Sequence, residues 1–86
     1  MQVIFTEANL VQDRTSKTEK GTFRKLKFAE IRNGETSEIA LSVDPALRHD
    51  IPLLRPVSVV MDVSGYMSGY ELRLRIEEIL EVKPIK

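Results

Sequence analysis

Apolar and polar residues alternate with a period of two over most of the chain, the spacing that turns one side of a strand to a core and the other to solvent. The plainest local marker is Arg-Asn-Gly-Glu at 32–35, because Asn-Gly supplies the two positive-φ positions of a type I′ hairpin turn. A two-residue turn at Asn33 and Gly34 sets Arg32 opposite Glu35, Phe28 opposite Ile39 and Leu26 opposite Leu41. One face then carries Leu26, Phe28, Ile39, Leu41 and Val43 and is expected to be core. The other carries Phe23, Lys25 and Lys27 against the small Ala40 and Ser42, a flat basic face that begins with an aromatic ring.

A second hairpin follows from the same period. Val57, Val59, Met61 and Val63 share one face, and Leu72, Leu74 and Ile76 alternate with Glu71, Arg73, Arg75 and Glu77. The stretch SGYMSGY at 64–70 is expected as their connection, with Tyr66 and Met67 at its exposed tip and Tyr70 at its base. Setting Val63 against Leu72 pairs Met61 with Leu74, Val59 with Ile76 and Asp62 with Arg73, although a shift by two satisfies the same pattern. Beyond Ile76 the run EEILEV loses its alternation, which a bulge that re-phases the strand explains. Near the N-terminus Val3 and Phe5 alternate with Ile4, so that strand is apolar on both faces, covered on both sides or turned to a partner.

Between the hairpins, Asp44 and Pro45 read as a helix start, an N-cap with proline at the first helical position. Pro52 and Pro56 hold that helix to one or two turns. Five strands with a short helix between strands 3 and 4 give an all-β, OB-fold-like Greek-key barrel, one domain over residues 1–86. A Src-homology-3-type barrel is the second plan, and the helix position favours the first.

Composition changes this picture in two ways. Without cysteine the fold has no disulfide, thiol nucleophile or cysteine-based zinc site, which fits a reducing compartment. No basic leader precedes a long apolar stretch and no run reaches the roughly 20 apolar residues of a membrane span, so a soluble cytoplasmic protein is expected. The formal net charge of +0 hides an asymmetry. Residues 14–32 hold Arg14, Lys17, Lys20, Arg24, Lys25, Lys27 and Arg32 against Glu19 and Glu30, a local +5 balanced by −5 elsewhere. Such a chain suits contact with phosphate on one side.

Candidate catalytic groups are sparse. His49, the single histidine, is expected on the surface without a partner, and Glu77 and Glu78 point to opposite sides of a strand. Gly65 and Gly69 lack the Gly-Lys-Ser/Thr of a phosphate-binding loop and precede a strand, not a helix. No catalytic residue, metal ligand, cofactor or small-molecule substrate is assigned. The binding signals are better. Phe23 inside a basic loop-to-strand segment, on one face with Lys25 and Lys27, matches the way single strands are held, cations following the backbone and bases stacking on rings. Tyr66 at a tip cleared by glycine and serine either grips a base or shields its own hairpin. Arg75 is placed to reach phosphate, and Arg73 is expected to pair with Asp62. Two functions remain open: binding of single-stranded DNA, with RNA not distinguished, and a small interaction module whose basic loop meets an acidic protein surface.

The basic segment that closes in glycine and an aromatic (KGTFRKLKF), the later hairpin with a glycine-flanked aromatic (SGYMSGYELRLRI) and the tail VKPIK resemble, in layout over the whole chain, the gene V-type single-stranded-DNA-binding, helix-destabilising proteins of filamentous phages. The resemblance implies an OB-fold homodimer that coats single-stranded replication intermediates of a phage or mobile element without strong sequence preference and without catalysis. It implies stacking by Phe23, phosphate contacts from Arg14, Lys20, Arg24 and Lys25, a DNA contact by Tyr66 from the neighbouring subunit, and a basic role for Arg75. This chain is poorer in tyrosine than that family's DNA face, and its segment DPALRHD reads as more helical.

Overall fold

The computed structural model describes residues 1–85, and of Arg32 the backbone only. It is a five-stranded all-β closed barrel: β1 (Gln2–Thr18), β2 (Gly21–Arg32), β3 (Glu35–Val43), β4 (Pro56–Ser68) and β5 (Glu71–Pro84). Around the barrel the order is β1-β2-β3-β5-β4, with β4 returning to β1. All neighbours are antiparallel except β3 and β5, which run parallel and pair only at Ser42 with Arg75 and Val43 with Ile76. The interior holds Phe5, Leu10, Leu26, Phe28, Leu41, Val57, Val59, Met61, Val63 and Ile76, with the Phe5 and Phe28 rings 5.3 Å apart. No polar or charged residue is fully buried among the described residues.

The β2–β3 hairpin has the expected register, Arg32 with Glu35 through Phe28 with Ile39 and Leu26 with Leu41. Asn33 and Gly34 take φ of 51° and 78°, as a I′ turn demands. Ile39 is not core. It sits where the hairpin has left the barrel wall, beyond the short β3–β5 pairing, and is 37% exposed.

Bulges shape the long strands. In β5 the pairing skips Glu77 and again Leu80, so Ile76, Ile79 and Val82 all reach the core at a spacing of three. The expected re-phasing after Ile76 is therefore present, in two steps. In β1 an extra residue between Phe5 and Ala8, and another at Val11, let the first half pair with β4 and the second with β2.

The second hairpin differs from its expected register. Val63 pairs with Ile76, Gly65 with Leu74, Tyr66 with Arg73 and Met67 with Leu72, so both strands run on as a two-stranded arm to a turn at Gly69 and Tyr70. Gly69, with φ of 67°, supplies the positive φ of a tight two-residue turn, which orders less chain irregularly than a seven-residue loop. The tyrosines thus exchange places: Tyr70 is the fully exposed tip and Tyr66 lies within β4. Asp62 binds the N-terminal ammonium at 3.1 Å, and Arg73 binds Glu71 at 3.4 Å. The segment expected as a basic loop is likewise an arm, β1 and β2 pairing out to Thr18 with Gly21. These projections explain a radius of gyration of 13.2 Å, above the roughly 12 Å of a compact chain this long.

The helix expected between strands 3 and 4 is absent; residues 44–55 form a turn and an irregular link. The cap does form, Ala46 N–H donating to the Asp44 carboxylate at 2.8 Å and Leu47 N–H to the Asp44 carbonyl at 3.0 Å. Helical propagation then fails because its partners are engaged elsewhere. Arg24 takes the carbonyls of Pro45 and Leu47, and Ile51 N–H donates to His49 Nδ1 at 3.1 Å instead of to Leu47. The link serves the barrel by packing Leu47 and buried Ile51 onto the core.

Candidate nucleic-acid interface

The outer side of the barrel wall bears a groove of about 1010 Å³ between the β1–β2 arm and the β4–β5 arm, floored by β2 and β3. Arg14, Phe23, Arg24, Lys25, Lys27, Tyr66 and Arg75 line it, together with Arg73, Gln12, Ser16 and Ser42. Among the described residues its lining has six cationic side chains and one acid, Asp44. Lys17 and Lys20 lie outside it, near the end of the β1–β2 arm.

Register explains why these residues meet. Arg14 pairs with Lys25, Lys25 with Ser42, Ser42 with Arg75 and Arg75 with Ser64, a single row that crosses all five strands. Strand spacing puts neighbours in such a row about 4.8 Å apart in the backbone. Arg14 belongs to it because of the bulge at Val11. With Leu10 in the core, unbroken alternation would have sent residues 12, 14 and 16 inward; the extra residue turns Gln12, Arg14 and Ser16 to the groove. No sequence signal marks that bulge. The β4–β5 arm needs none, since Tyr66, Arg73 and Arg75 follow the strand period from core residues Val63 and Ile76.

Charges in the groove are not equally available. Lys27 pairs with Glu38 at 3.1 Å and Arg73 with Glu71. Arg24 is committed to structure: its Nε and Nη2 donate to the two oxygens of Asp13 at 2.8 and 2.6 Å, and its side chain is 12% exposed. His49, expected at the surface without a partner, is instead largely buried and donates from Nε2 to Asp13 at 3.1 Å while Nδ1 accepts from Ile51. The Arg24 hydrogen bonds, helped by His49, outweigh partial burial and hold the Asp13 carboxyl down at about 2; Asp13 in turn raises Arg24. Arg14, Lys25 and Arg75, the cations of the cross-strand row, have no ion pair among the described residues.

Two rings stand beside that row. Phe23, two residues from Lys25, is 52% exposed, and Tyr66 is 38% exposed. The Tyr66 hydroxyl lies 3.0 Å from Ser42 Oγ, so the ring reaches from β4 across β5 to β3. Sequence reasoning put Ser42 on the basic face without assigning it a role, left out Gln12, and gave Arg73 a structural pairing with Asp62. Arg73 shares the outer alternation of Arg75, a signal that was there to read.

Among the described residues no three or more His, Asp or Glu side chains converge as metal ligands would, and no helix is long and apolar enough to cross a membrane. Comparisons with protein-family models, curated proteins and solved structures gave no match.

Proposed function

We propose that this protein binds single-stranded DNA without sequence specificity, in the groove between its two arms. The observation that carries the reading is the row of unpaired cations, Arg14, Lys25 and Arg75, flanked by the half-exposed rings of Phe23 and Tyr66. A single strand needs both: cations for its phosphates and flat surfaces for its bases. The barrel order and the parallel β3–β5 closure support an OB-fold-like architecture, in which the strand 2–3 face and the connections of strands 1–2 and 4–5 bind oligonucleotides. The β1–β2 and β4–β5 arms are those connections here. The reading extends to a homodimer that coats replication intermediates of a phage or mobile element, as the gene V-type resemblance implies.

Oligo(dT) titrated at several salt concentrations tests it. With three phosphates neutralised, log affinity falls against log salt with a slope of roughly −2, about −0.7 per contact on a single strand. Absence of binding at low salt overturns the reading, and light scattering that returns a monomer overturns its dimer.

A further inference from the structure

We infer that the gap between β3 and β5 receives an extended peptide as an added strand. β3 and β5 pair only at Ser42 with Arg75 and Val43 with Ile76, and then diverge. Had the pairing continued, Glu38 would have faced Glu71, a like-charge cross-strand pair that disfavours closure. Ile39, Leu41, Leu72 and Leu74 line the hollow between the diverging strands, with Ile39 and Leu72 well exposed.

Both edges of the gap present open backbone. In a two-residue hairpin the residues that flank the turn exchange hydrogen bonds, and bonded pairs then alternate along the ladder. From Arg32 with Glu35, the residues Glu35, Ser37, Ile39 and Leu41 bond to β2 while Thr36, Glu38 and Ala40 turn their N–H and C=O to the gap. From Ser68 with Glu71, the same count turns Leu72 and the Leu74 N–H to the gap from β5, the Leu74 carbonyl being taken by Ser42 where the strands pair. The next members of the two series, Ser42 and Ile76, fall at the β3–β5 pairing, which checks the phase. β3 has neither bulge nor proline, the usual devices that blunt an edge.

Because β3 and β5 are parallel, one inserted strand can be antiparallel to both. Its residues opposite Ala40 and Glu38 then bond to β3, and the alternate ones bond to β5, fully at Leu72 and through the N–H alone at Leu74. The side-chain pattern follows. Inward residues meet Ile39, Leu41, Leu72 and Leu74 and must be apolar. The outward residue at the closed end lies near the unpaired Lys25 and near Arg73 and is favoured as acidic, and the next, at the mouth, lies between Glu38 and Glu71, competes with their exposed pairs to Lys27 and Arg73, and is favoured as basic. Running from closed end to mouth, the partner reads apolar, acidic, apolar, basic.

An acetylated, amidated hexapeptide Val-Glu-Val-Lys-Val-Thr tests this without any nucleic acid. Bound, it slows amide exchange at Thr36, Glu38, Ala40 and Leu72 by about tenfold or more. The isomer with glutamate and lysine exchanged has the same composition and binds about tenfold more weakly, from charge order alone. Ala40→Pro removes an outward N–H at an edge that tolerates proline and abolishes the protection. Arg73→Glu leaves β3 intact, weakens the first peptide and favours the isomer. Equal binding of the two isomers, or no protection at those amides, overturns the proposal. So does protection already present without peptide in a chain of doubled mass, which would make a second copy the occupant.

Discussion

Arg24 and Lys25 are neighbours with the same charge, yet they serve opposite regions. Arg24 clamps the 44–55 link to the β1–β2 arm through Asp13 and two backbone carbonyls. Lys25 stands on the groove floor with no acidic partner among the described residues. The clamp uses charge to hold backbone that did not become helix; the groove leaves charge for a ligand to neutralise. A run of cations therefore measures the size of a binding site poorly. Of the six cations in the groove lining, three are already paired, and the three left lie in one row.

The largest expected effect falls on the clamp. Asp13→Ala strands the largely buried Arg24 guanidinium and costs about 2–3 kcal/mol of unfolding free energy by denaturant titration, with the salt slope for oligo(dT) unchanged. Next is Phe23→Ala, which weakens oligo(dT) binding by about 2 kcal/mol, roughly 30-fold, and leaves stability intact because the ring is half-exposed. Lys25→Ala is smaller: about fivefold in affinity at 0.1 M salt, with the slope made shallower by about 0.7. If Arg24→Ala moved that slope by the same amount, the division between clamp and groove would fail. A further effect separates the regions by pH. Asp13 titrates lower in the folded chain, about 2 against an ordinary 3.8, so the stability it contributes is complete above about pH 4 and lost as pH falls toward 2. In Asp13→Asn that part of the acid dependence disappears, as thermal melts between pH 2 and 5 would show.

The two hairpins were not equally legible. Asn33-Gly34 dictates its own φ angles and thereby the register of nine cross-strand pairs, every one determined by residues adjacent in sequence. SGYMSGY holds two glycines and two candidate turns, and the alternation of β4 and β5 is satisfied by several registers. What separates them is the length of arm that can be zipped, up to Ser68 with Glu71, and Leu72 covering Gly65. The helix was misread for a similar reason: Asp44 and Pro45 form a good start, but Arg24, some twenty residues away, competes for the carbonyls that the next turn needs.

The sequence by itself determined most of the residues that face the core, Ile39 excepted, where one hairpin turns, that β5 must be re-phased after Ile76, and that cations concentrate in one stretch. Periodicity and turn chemistry are local, so they survive without knowledge of the fold. Tertiary structure decided which cations stay free, that Arg14 turns to the groove, that Tyr66 and not Tyr70 lies beside them, and that His49 is a largely buried strut on Asp13. Each of these depends on a partner distant in the chain or on a bulge with no local marker, and a hydrogen-bonding group takes its partner from whatever the fold brings within 3 Å.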